Sequence, residues 1–150
     1  MKITQPGEGY RGVEGKIGYL LRQAAHITRL RIDRALRELP MTHPQFAVLK
    51  AIGLCLASHA ADIARICMLS PQAVNLIIIN LEKAKLVTRT PHKVHGRVLE
   101  VSVTALGKKR IEQCRRLVKV IEADMLKNLK PAEEKLIRKW LVNCATEQDR

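Results

Sequence analysis

The sequence predicts a mainly α-helical fold that carries one small two-stranded β-wing. Apolar residues recur at helical spacing through most of the 150 residues, and capping residues precede several of these stretches. Between about residues 86 and 103 the period changes to the alternation typical of a half-buried strand. The length suits one domain, and 47% hydrophobic residues suffice to build one core.

The first third of the chain predicts an arm and two helices. Residues 1–14 are polar and contain glycine, so we expect a loose arm. The long helix that follows ends before Pro40, because proline disfavours helical geometry in the residue before it. A second helix begins at Thr42, where Gln45 completes a capping box, and continues to about residue 56.

The middle of the chain predicts a helix-turn-helix followed by a hairpin. A short helix spans 60–67, and Ser70 and Pro71 then supply the cap and the first residue of the next helix, called here the reader helix. Its buried stripe, at offsets 0, 3, 4 and 7, is Val74, Ile77, Ile78 and Leu81. Strands over 86–90 and 97–103 flank an exposed tip. A ribbon directly after a helix-turn-helix makes a winged helix-turn-helix.

Two further helices complete the pattern. Thr104 caps the first, and Pro131 begins the second, whose early Glu133 and Glu134 suit the positive end of a helix dipole. The apolar stripes of these helices and of the first helix are wider than a monomer of this length easily covers, which favours a two-fold dimer. The candidate dimerisation residues are Ile17, Leu20, Leu21, Leu117, Ile121, Leu136, Trp140 and Leu141.

The chain is strongly basic and its charge is unevenly distributed. It holds 27 Lys and Arg against 14 Asp and Glu, a net charge of +13, which favours a polyanionic partner such as nucleic acid or an acidic membrane surface. Residues 85–110, around the wing, contain seven basic residues and one acidic residue. This concentration favours contact with duplex DNA phosphates, which set affinity more than sequence choice.

Other classes of function are disfavoured. Aromatic residues are only 3% of the chain, whereas single-strand and RNA readers stack bases on several exposed rings. No apolar stretch approaches the roughly 18 residues of a membrane span, and the N-terminus lacks an apolar signal core, so we expect no membrane contact and a cytoplasmic, nucleoid-associated protein. No phosphate loop, nucleophile elbow or His-Glu-x-x-His is present, so we expect neither an enzyme nor a cofactor.

Cysteine and histidine spacing does not favour a metal site. The four cysteines lie far apart, and we expect reduced thiols on the apolar sides of helices rather than redox or metal sites: Cys55, Cys67, Cys114 and Cys144. His92 and His95 offer two ligands at the wing tip, where zinc needs three or four. Solvent or phosphate contact is the favoured role for both histidines.

A series of motifs occurs in the order and at the spacing of a known family. The motifs are Met41–Leu49, Ile63–Arg65, Leu69–Val74, Leu81–Val87, Gly96–Arg97 and Val101–Gly107. Together they resemble the MarR family of bacterial transcription regulators over about residues 15–145. The resemblance implies a single domain over 1–150, with dimerisation helices at about 15–39 and 104–146 and a winged DNA-binding head at about 42–103.

The resemblance also implies a mode of action. Members of the family form homodimers, bind pseudo-palindromic operators in double-stranded DNA, often repress a neighbouring gene, and often release DNA when a small aromatic or phenolic ligand binds. His26 and His43 lie near where relatives hold effectors, although a half-buried structural histidine is the alternative for each. The reactive cysteine of the redox-sensing branch lies near the first helices, and this chain has none before Cys55.

The outward stripe of the reader helix holds the candidate base contacts. Its Gln and Asn side chains suit adenine, and Leu76 and Ile79 offer apolar contact to thymine methyls, which predicts an A/T-biased half-site. The alternative is that these two residues pack against the wing or a neighbouring helix and read nothing. The full set of candidate DNA-binding residues is Ser70, Gln72, Ala73, Asn75, Leu76, Asn80, Lys83, Arg89, Lys93, His95 and Arg97.

Five positions depart from the family pattern. Many relatives have Arg at the position of Leu76, and polar or charged residues at the positions of Ile79 and Asn80. His95 replaces the Asp that usually precedes Gly-Arg, so Arg97 lacks a local acidic partner. Met68 stands where a small glycine is common in the turn, and we expect a less tight turn with Met68 packed inward.

Two other functions fit parts of the sequence. A protein-interaction module on a winged-helix scaffold would use the apolar part of the reader stripe. A sequence-neutral, nucleoid-type DNA coater would use the high net charge.

Overall fold

The computed structural model describes residues 4–54, 60–91 and 99–146, and it confirms the predicted fold class. The described part of the chain contains six α-helices and one two-stranded antiparallel sheet. The elements are α1 (Ile17–Leu36), α2 (His43–Gly53), α3 (Ala60–Cys67), α4 (Pro71–Lys83), β1 (Val87–Pro91), β2 (Leu99–Val103), α5 (Ala105–Leu126) and α6 (Pro131–Thr146). The reader helix is α4.

Capping side chains begin three helices where the sequence predicts them. Thr42 Oγ1 accepts the Gln45 N–H at 3.3 Å, while Gln45 Oε1 accepts the Thr42 N–H at 2.9 Å, which completes the capping box. Ser70 and Thr104 cap α4 and α5 by accepting the N–H three residues ahead at 3.1 and 3.0 Å. Each bond satisfies an N–H that has no partner inside the helix.

The core lies in the head, between α2, α3, α4 and the base of the hairpin, and α1 and α5 each contribute to it. Its largest fully buried side chains are Leu36, Leu49, Ile63, Leu81, Val48, Val74 and Cys114. The predicted buried face of α4 is confirmed for Val74, Ile78 and Leu81, and Ile77 is partly buried. This packing holds the opposite face of α4 toward solvent.

The hairpin is fixed to the head at its base. Val87 pairs with Val103, and the register continues to Pro91 opposite Leu99. Thr104 donates its N–H to the Leu86 carbonyl at 3.0 Å, and its hydroxyl lies within hydrogen-bond distance of two carbonyl oxygens, Lys85 at 2.7 Å and Leu86 at 3.1 Å. The wing tip, with His92, Lys93, His95 and Arg97, lies outside the described residues.

The expectation of a loose N-terminal arm is wrong for residues 4–16. These residues form turns and a 3-10 segment (Gly9–Arg11) that contact α1. Arg11 donates from Nε to Gln23 Oε1 at 3.0 Å and from Nη1 to the Thr4 carbonyl at 2.9 Å. The Tyr10 and Tyr19 rings also pack with centroids 5.6 Å apart. Because these partners are distant in sequence, periodicity alone does not show the contact.

The expectation for Met68 is also wrong. Its side chain is 91% exposed, and the residue takes the left-handed conformation with φ +55°. Leu69, the next residue, is the one that packs against the core. The turn between α3 and α4 is therefore tight although the residue at this position is not glycine.

The cysteines differ in burial. Cys114 is fully buried and Cys67 half-buried, and burial raises the pKa of both thiols. Cys144 lies exposed on α6, so in the single chain its thiol is not covered by apolar neighbours as expected. Cys55 lies outside the described residues.

Helix α6 packs weakly on the rest of the chain. None of its described residues is buried, and Leu136, Trp140 and Leu141 are 68%, 40% and 43% exposed. Arg138 links it to α5, with Nη2 at 3.4 Å from Glu122 Oε1. Of the other candidate dimerisation residues, Ile17 is exposed, whereas four are half-buried: Leu20, Leu21, Leu117 and Ile121.

Within the described ranges, no single helix is long and apolar enough to cross a membrane. The α3–α4 pair passes such a test by length and composition only, and it is bent by 104°. Its apolar side chains Ile63, Val74 and Leu81 are buried in the core.

Candidate DNA-binding face

The outward stripe of α4 is exposed along its whole length. It consists of Gln72, Asn75, Leu76, Ile79, Asn80 and Lys83. Leu76 is 61% exposed and Ile79 39% exposed, so neither side chain is buried within the described part of the protomer. A carboxamide–apolar surface therefore faces solvent on the second helix of the helix-turn-helix.

The N-terminal end of α4 is rigidly set. Ser70 Oγ is the acceptor for the Ala73 N–H at 3.1 Å, so both candidate residues take part in the cap. Pro71 occupies the first helical position, where its missing N–H costs nothing. Ser70 is exposed and Ala73 half-buried, and both lie at the end of the helix that helix-turn-helix proteins insert into the major groove.

Arg89 connects the wing to α4. Its Nε lies 3.1 Å from Glu82 Oε2, and both side chains are partly exposed. The pair joins β1 to the last turn of α4, next to the exposed Lys83. Sequence spacing does not indicate this pair, since the two residues are seven positions apart on different elements. Lys93, His95 and Arg97 lie outside the described residues, so the structure does not place them.

His43 lies where α1 meets α2. Its backbone N–H donates to Asp33 Oδ1 at 2.7 Å, and Asp33 Oδ2 is 3.7 Å from Arg29 Nε. Burial lowers the pKa of His43, with Asp33 opposing the shift and Arg29 adding to it. A cavity of about 460 Å³ lies beside this junction and is lined by Arg29, Leu30, Asp33, Arg34, Arg37, Met41, Thr42 and Pro44.

His26 is not part of that junction. It is exposed and lines a separate cavity of about 300 Å³ near the N-terminal segment, with Arg11, Tyr19, Arg22, Gln23 and Ile27. Arg22 lies over the Tyr19 ring at 5.7 Å. The structure thus places the two candidate effector histidines at different sites.

A groove between α2 and α5 was not identified from the sequence. Two adjoining cavities of about 490 and 480 Å³ share Lys50, Glu112 and Arg115. The apolar side chains of its lining are Phe46, Leu54, Ile111 and Val118. The cations of its lining are Lys50, Lys108, Arg115, Arg116 and Lys119. Glu112 is 3.6 Å from Arg115 and 3.5 Å from Arg116. The sequence feature that could have indicated this groove is the mixture of cations and apolar residues on one face of α5.

A metal site is not indicated by the described side chains. Residues 4–54, 60–91 and 99–146 contain no group of three or more His, Cys, Asp or Glu able to hold a metal ion.

Comparison with known proteins gives a consistent result, although no family model matches the chain. The HTH-type transcriptional repressor Rv2887 of Mycobacterium tuberculosis (strain ATCC 25618 / H37Rv) is 27% identical over 128 residues, which cover 85% of this chain and 92% of that protein. The crystal structure of the M. tuberculosis MarR family protein Rv2887 with salicylic acid has a TM-score of 0.71 and 26% identity, and the match covers 88% of this chain and 98% of that one.

Two further solved structures show the same fold. MepR of S. aureus in complex with DNA has a TM-score of 0.80 at 21% identity, covering 89% of this chain and 99% of that chain. Apo MarR from E. coli has a TM-score of 0.73 at 22% identity, and the match covers 86% of this chain and 96% of that chain. The fold and the α3–α4 pair define a winged helix-turn-helix protein. In sequence the chain is similar to an HTH-type transcriptional repressor, and in fold it is similar to solved MarR family proteins.

Proposed function

We propose that the chain is a homodimeric repressor that binds a pseudo-palindromic operator in duplex DNA and is released by a small aromatic or phenolic ligand. The observation that carries the proposal is the exposed stripe of α4, with three carboxamides and two apolar side chains on a capped helix. The single winged head spans about residues 42–103. The proposed location is the cytoplasm, associated with the nucleoid, and the proposal needs no enzymatic activity or cofactor.

The chemistry of the stripe favours A/T-rich half-sites. Gln72, Asn75 and Asn80 each present a donor and an acceptor, which match N6 and N7 of adenine in the major groove. Leu76 and Ile79 present only methyl groups, which match the thymine methyl. Lys83 is the one cation of this stripe, so the stripe supplies selectivity more than charge.

The wing supplies the non-specific part of the proposed affinity. Residues 85–103, the predicted wing and its approach, contain four cations, among them Lys93 and Arg97, and one acidic residue, whereas the other three cations of residues 85–110 lie on α5. His95 belongs to the same proposed phosphate or minor-groove contact. Arg89 serves a second purpose, because its pairing with Glu82 holds β1 against α4 and thereby aligns wing and reader helix. Phosphate contact fixes position and salt dependence, whereas the bases are read elsewhere.

The unpartnered apolar surface supports the homodimer. α6 leaves Leu136, Trp140 and Leu141 exposed, and α1 leaves Ile17 exposed. Large exposed apolar side chains on these helices are typical of a protein–protein interface. In a two-fold dimer the same surface of each protomer covers the other, and two heads are then presented to successive major grooves. The proposed dimerisation segments are about 15–39 and 104–146.

The α2–α5 groove supports ligand control. Relatives have been solved with salicylic acid, p-aminosalicylic acid and p-coumaroyl-CoA, and BpsR of Bordetella bronchiseptica is regulated by 6-hydroxynicotinic acid. A lining that combines the apolar Leu54 and Ile111 with Lys50 and Arg115 suits an anionic aromatic molecule. Because α2 belongs to the head and α5 to the dimerisation segments, a ligand held there would change the spacing of the heads. His26 and His43 remain candidate effector contacts at their separate sites.

Footprinting on the DNA upstream of the protein's own coding sequence, followed by selection from random duplexes, tests this function. A discrete two-part protection and an A/T-rich consensus are expected. Protection that spreads along the DNA indicates a sequence-neutral coater, and absence of protection indicates a protein-interaction module. A G/C-rich consensus contradicts the proposed use of the stripe.

Paired variants separate the two contributions. Asn75→Ala should relax the consensus while non-specific affinity is retained, since a carboxamide contact to a base is lost. Arg97→Ala should weaken binding to all sequences and reduce the salt slope by about one. An unaltered consensus would remove Asn75 from the reading set, and an unchanged salt dependence would count against a DNA-contacting wing.

A further inference from the structure

Two helices of the head end in the same hydrogen-bonded turn, and each has an unusual residue in it. After α3, the Leu69 N–H donates to the Ala64 carbonyl at 2.9 Å and the Met68 N–H to the Arg65 carbonyl at 3.3 Å. After α4, Lys85 stands at the equivalent position with φ +59°. Such a turn needs one residue in the left-handed conformation, and glycine is usual there because a Cβ is strained.

Met68 gains no packing in return for this strain. Its side chain is 91% exposed, more than Leu76 at 61% or Ile79 at 39%. An exposed, unbranched apolar side chain at a strained position has no stabilising role within the protomer. Lys85 takes the same conformation, so the strain alone assigns no function, and the exposed apolar side chain is what distinguishes Met68.

The place of Met68 indicates a use for this side chain. It lies two residues before the Ser70 cap, at the end of α4 that the fold inserts into the major groove. The cap and the two turn bonds hold this segment rigidly. Met68 therefore adds one exposed apolar side chain just before the beginning of the helix that carries the α4 stripe. The apolar group that the major groove offers to such a side chain is the methyl of thymine.

We propose that Met68 is a specificity-determining residue that contacts a thymine methyl group at the edge of each half-site. This inference rests on the proposed DNA-binding function and adds to it a residue that lies outside the reader helix. The polarizable, flexible thioether side chain suits such a contact, because it adapts to an irregular apolar surface. Leu76 and Ile79 contact the methyl groups nearer the centre of the half-site.

Three variants separate the side chain from the backbone. Met68→Gln keeps the length and the strain but removes the apolar end. Met68→Gly removes both the side chain and the strain. Lys85→Gly is the matched control, because it relieves the same strain at the other end of α4. Both glycine variants should raise Tm by about 2–4 °C.

The assay compares the wild-type protein and these variants on the selected operator, with each thymine replaced in turn by uracil, which lacks the methyl group. For wild type, uracil at one outer position should weaken binding about fourfold, the contribution expected of one buried methyl group. Met68→Gln and Met68→Gly should bind the unmodified operator at least about fourfold more weakly and show no further loss at that position. Leu76→Ala should still bind about fourfold more weakly when that outer thymine is replaced by uracil.

Each outcome decides the matter. If the Met68 variants bind the operator as wild type does, or keep the uracil effect at every position, the inference is wrong while the DNA-binding function stands. If wild type shows no preferred operator at all, the proposed function fails and this inference fails with it. The Tm values exclude loss of folding as the cause of weak binding.

Discussion

Gly107 makes the closest approach of a helix to the base of the wing, and an added methyl group there should disrupt it. Gly107 is buried in the first turn of α5. A Cβ at this position would overlap the Leu86 carbonyl oxygen and lie 2.6 Å from Val103 Cγ1. The same oxygen accepts the Thr104 N–H at 3.0 Å and lies 3.1 Å from the Thr104 hydroxyl, which is closer to the Lys85 carbonyl at 2.7 Å. Relief of the overlap must therefore move a carbonyl that anchors the hairpin.

The expected loss of stability follows from these contacts. Gly107→Ala gains about 1 kcal/mol from helix propensity. Overpacking of a buried site costs about 1–3 kcal/mol, and each weakened hydrogen bond about 0.5–1.5 kcal/mol. The free energy of unfolding should fall by about 2–3 kcal/mol. Since Val87 begins β1 directly after the displaced carbonyl, the affinity for DNA should fall as well.

Gly18→Ala is the matched control. Gly18 lies in the first turn of α1, and within the single chain a Cβ there has no atom within 4 Å. This variant should raise the free energy of unfolding by about 0.5–1 kcal/mol. Urea unfolding followed by circular dichroism, at one fixed protein concentration, measures the free energy of unfolding of both variants. If Gly107→Ala is as stable as Gly18→Ala, the close approach at Leu86 is not a real constraint and the reasoning fails.

Two other predictions concern the dimer and the α1–α2 junction. Trp140→Ala should raise the dimer dissociation constant by at least about tenfold, because each protomer loses an apolar ring, 40% exposed in the single chain, that the dimer would bury. Sedimentation across a concentration series measures this constant. An unchanged constant would place α6 outside the interface. Burial holds the pKa of His43 below its ordinary value of 6.5, so the folded state favours the neutral ring and stability should decline as the pH falls below about 6.5. His43→Gln should reduce that decline in thermal unfolding between about pH 8 and pH 5, and an equal decline in both proteins would assign it to other groups.

The parts of the fold that the sequence predicts are those that depend on near neighbours. The caps at Thr42, Ser70 and Thr104 each join residues three positions apart, and the structure shows all three. The exposure of the α4 stripe follows in the same way from a helical period. A periodic pattern defines both faces of a helix once one face is buried.

The features that the sequence did not predict depend on distant partners. Arg11 reaches Gln23 across twelve positions and orders a segment whose composition is typical of a loop. The α2–α5 groove joins Lys50 to Arg115, which no local pattern relates. For Met68 the error has a different cause, because apolar character alone predicts burial, whereas the turn assigns the inward position to Leu69.

Affinity and selectivity reside on different elements of this head, and the structure shows how they are joined. The stripe of α4 carries carboxamide and apolar groups with Lys83 at its end, whereas the wing and its approach, residues 85–103, hold four cations and one acidic residue. A wing that moved freely would bind phosphate without directing α4 into the groove. The Arg89–Glu82 pair and the Thr104–Leu86 bonds tie the hairpin to α4 and to its C-terminal turn. Electrostatic attraction, which acts on any DNA sequence, thereby aligns the surface that distinguishes one sequence from another.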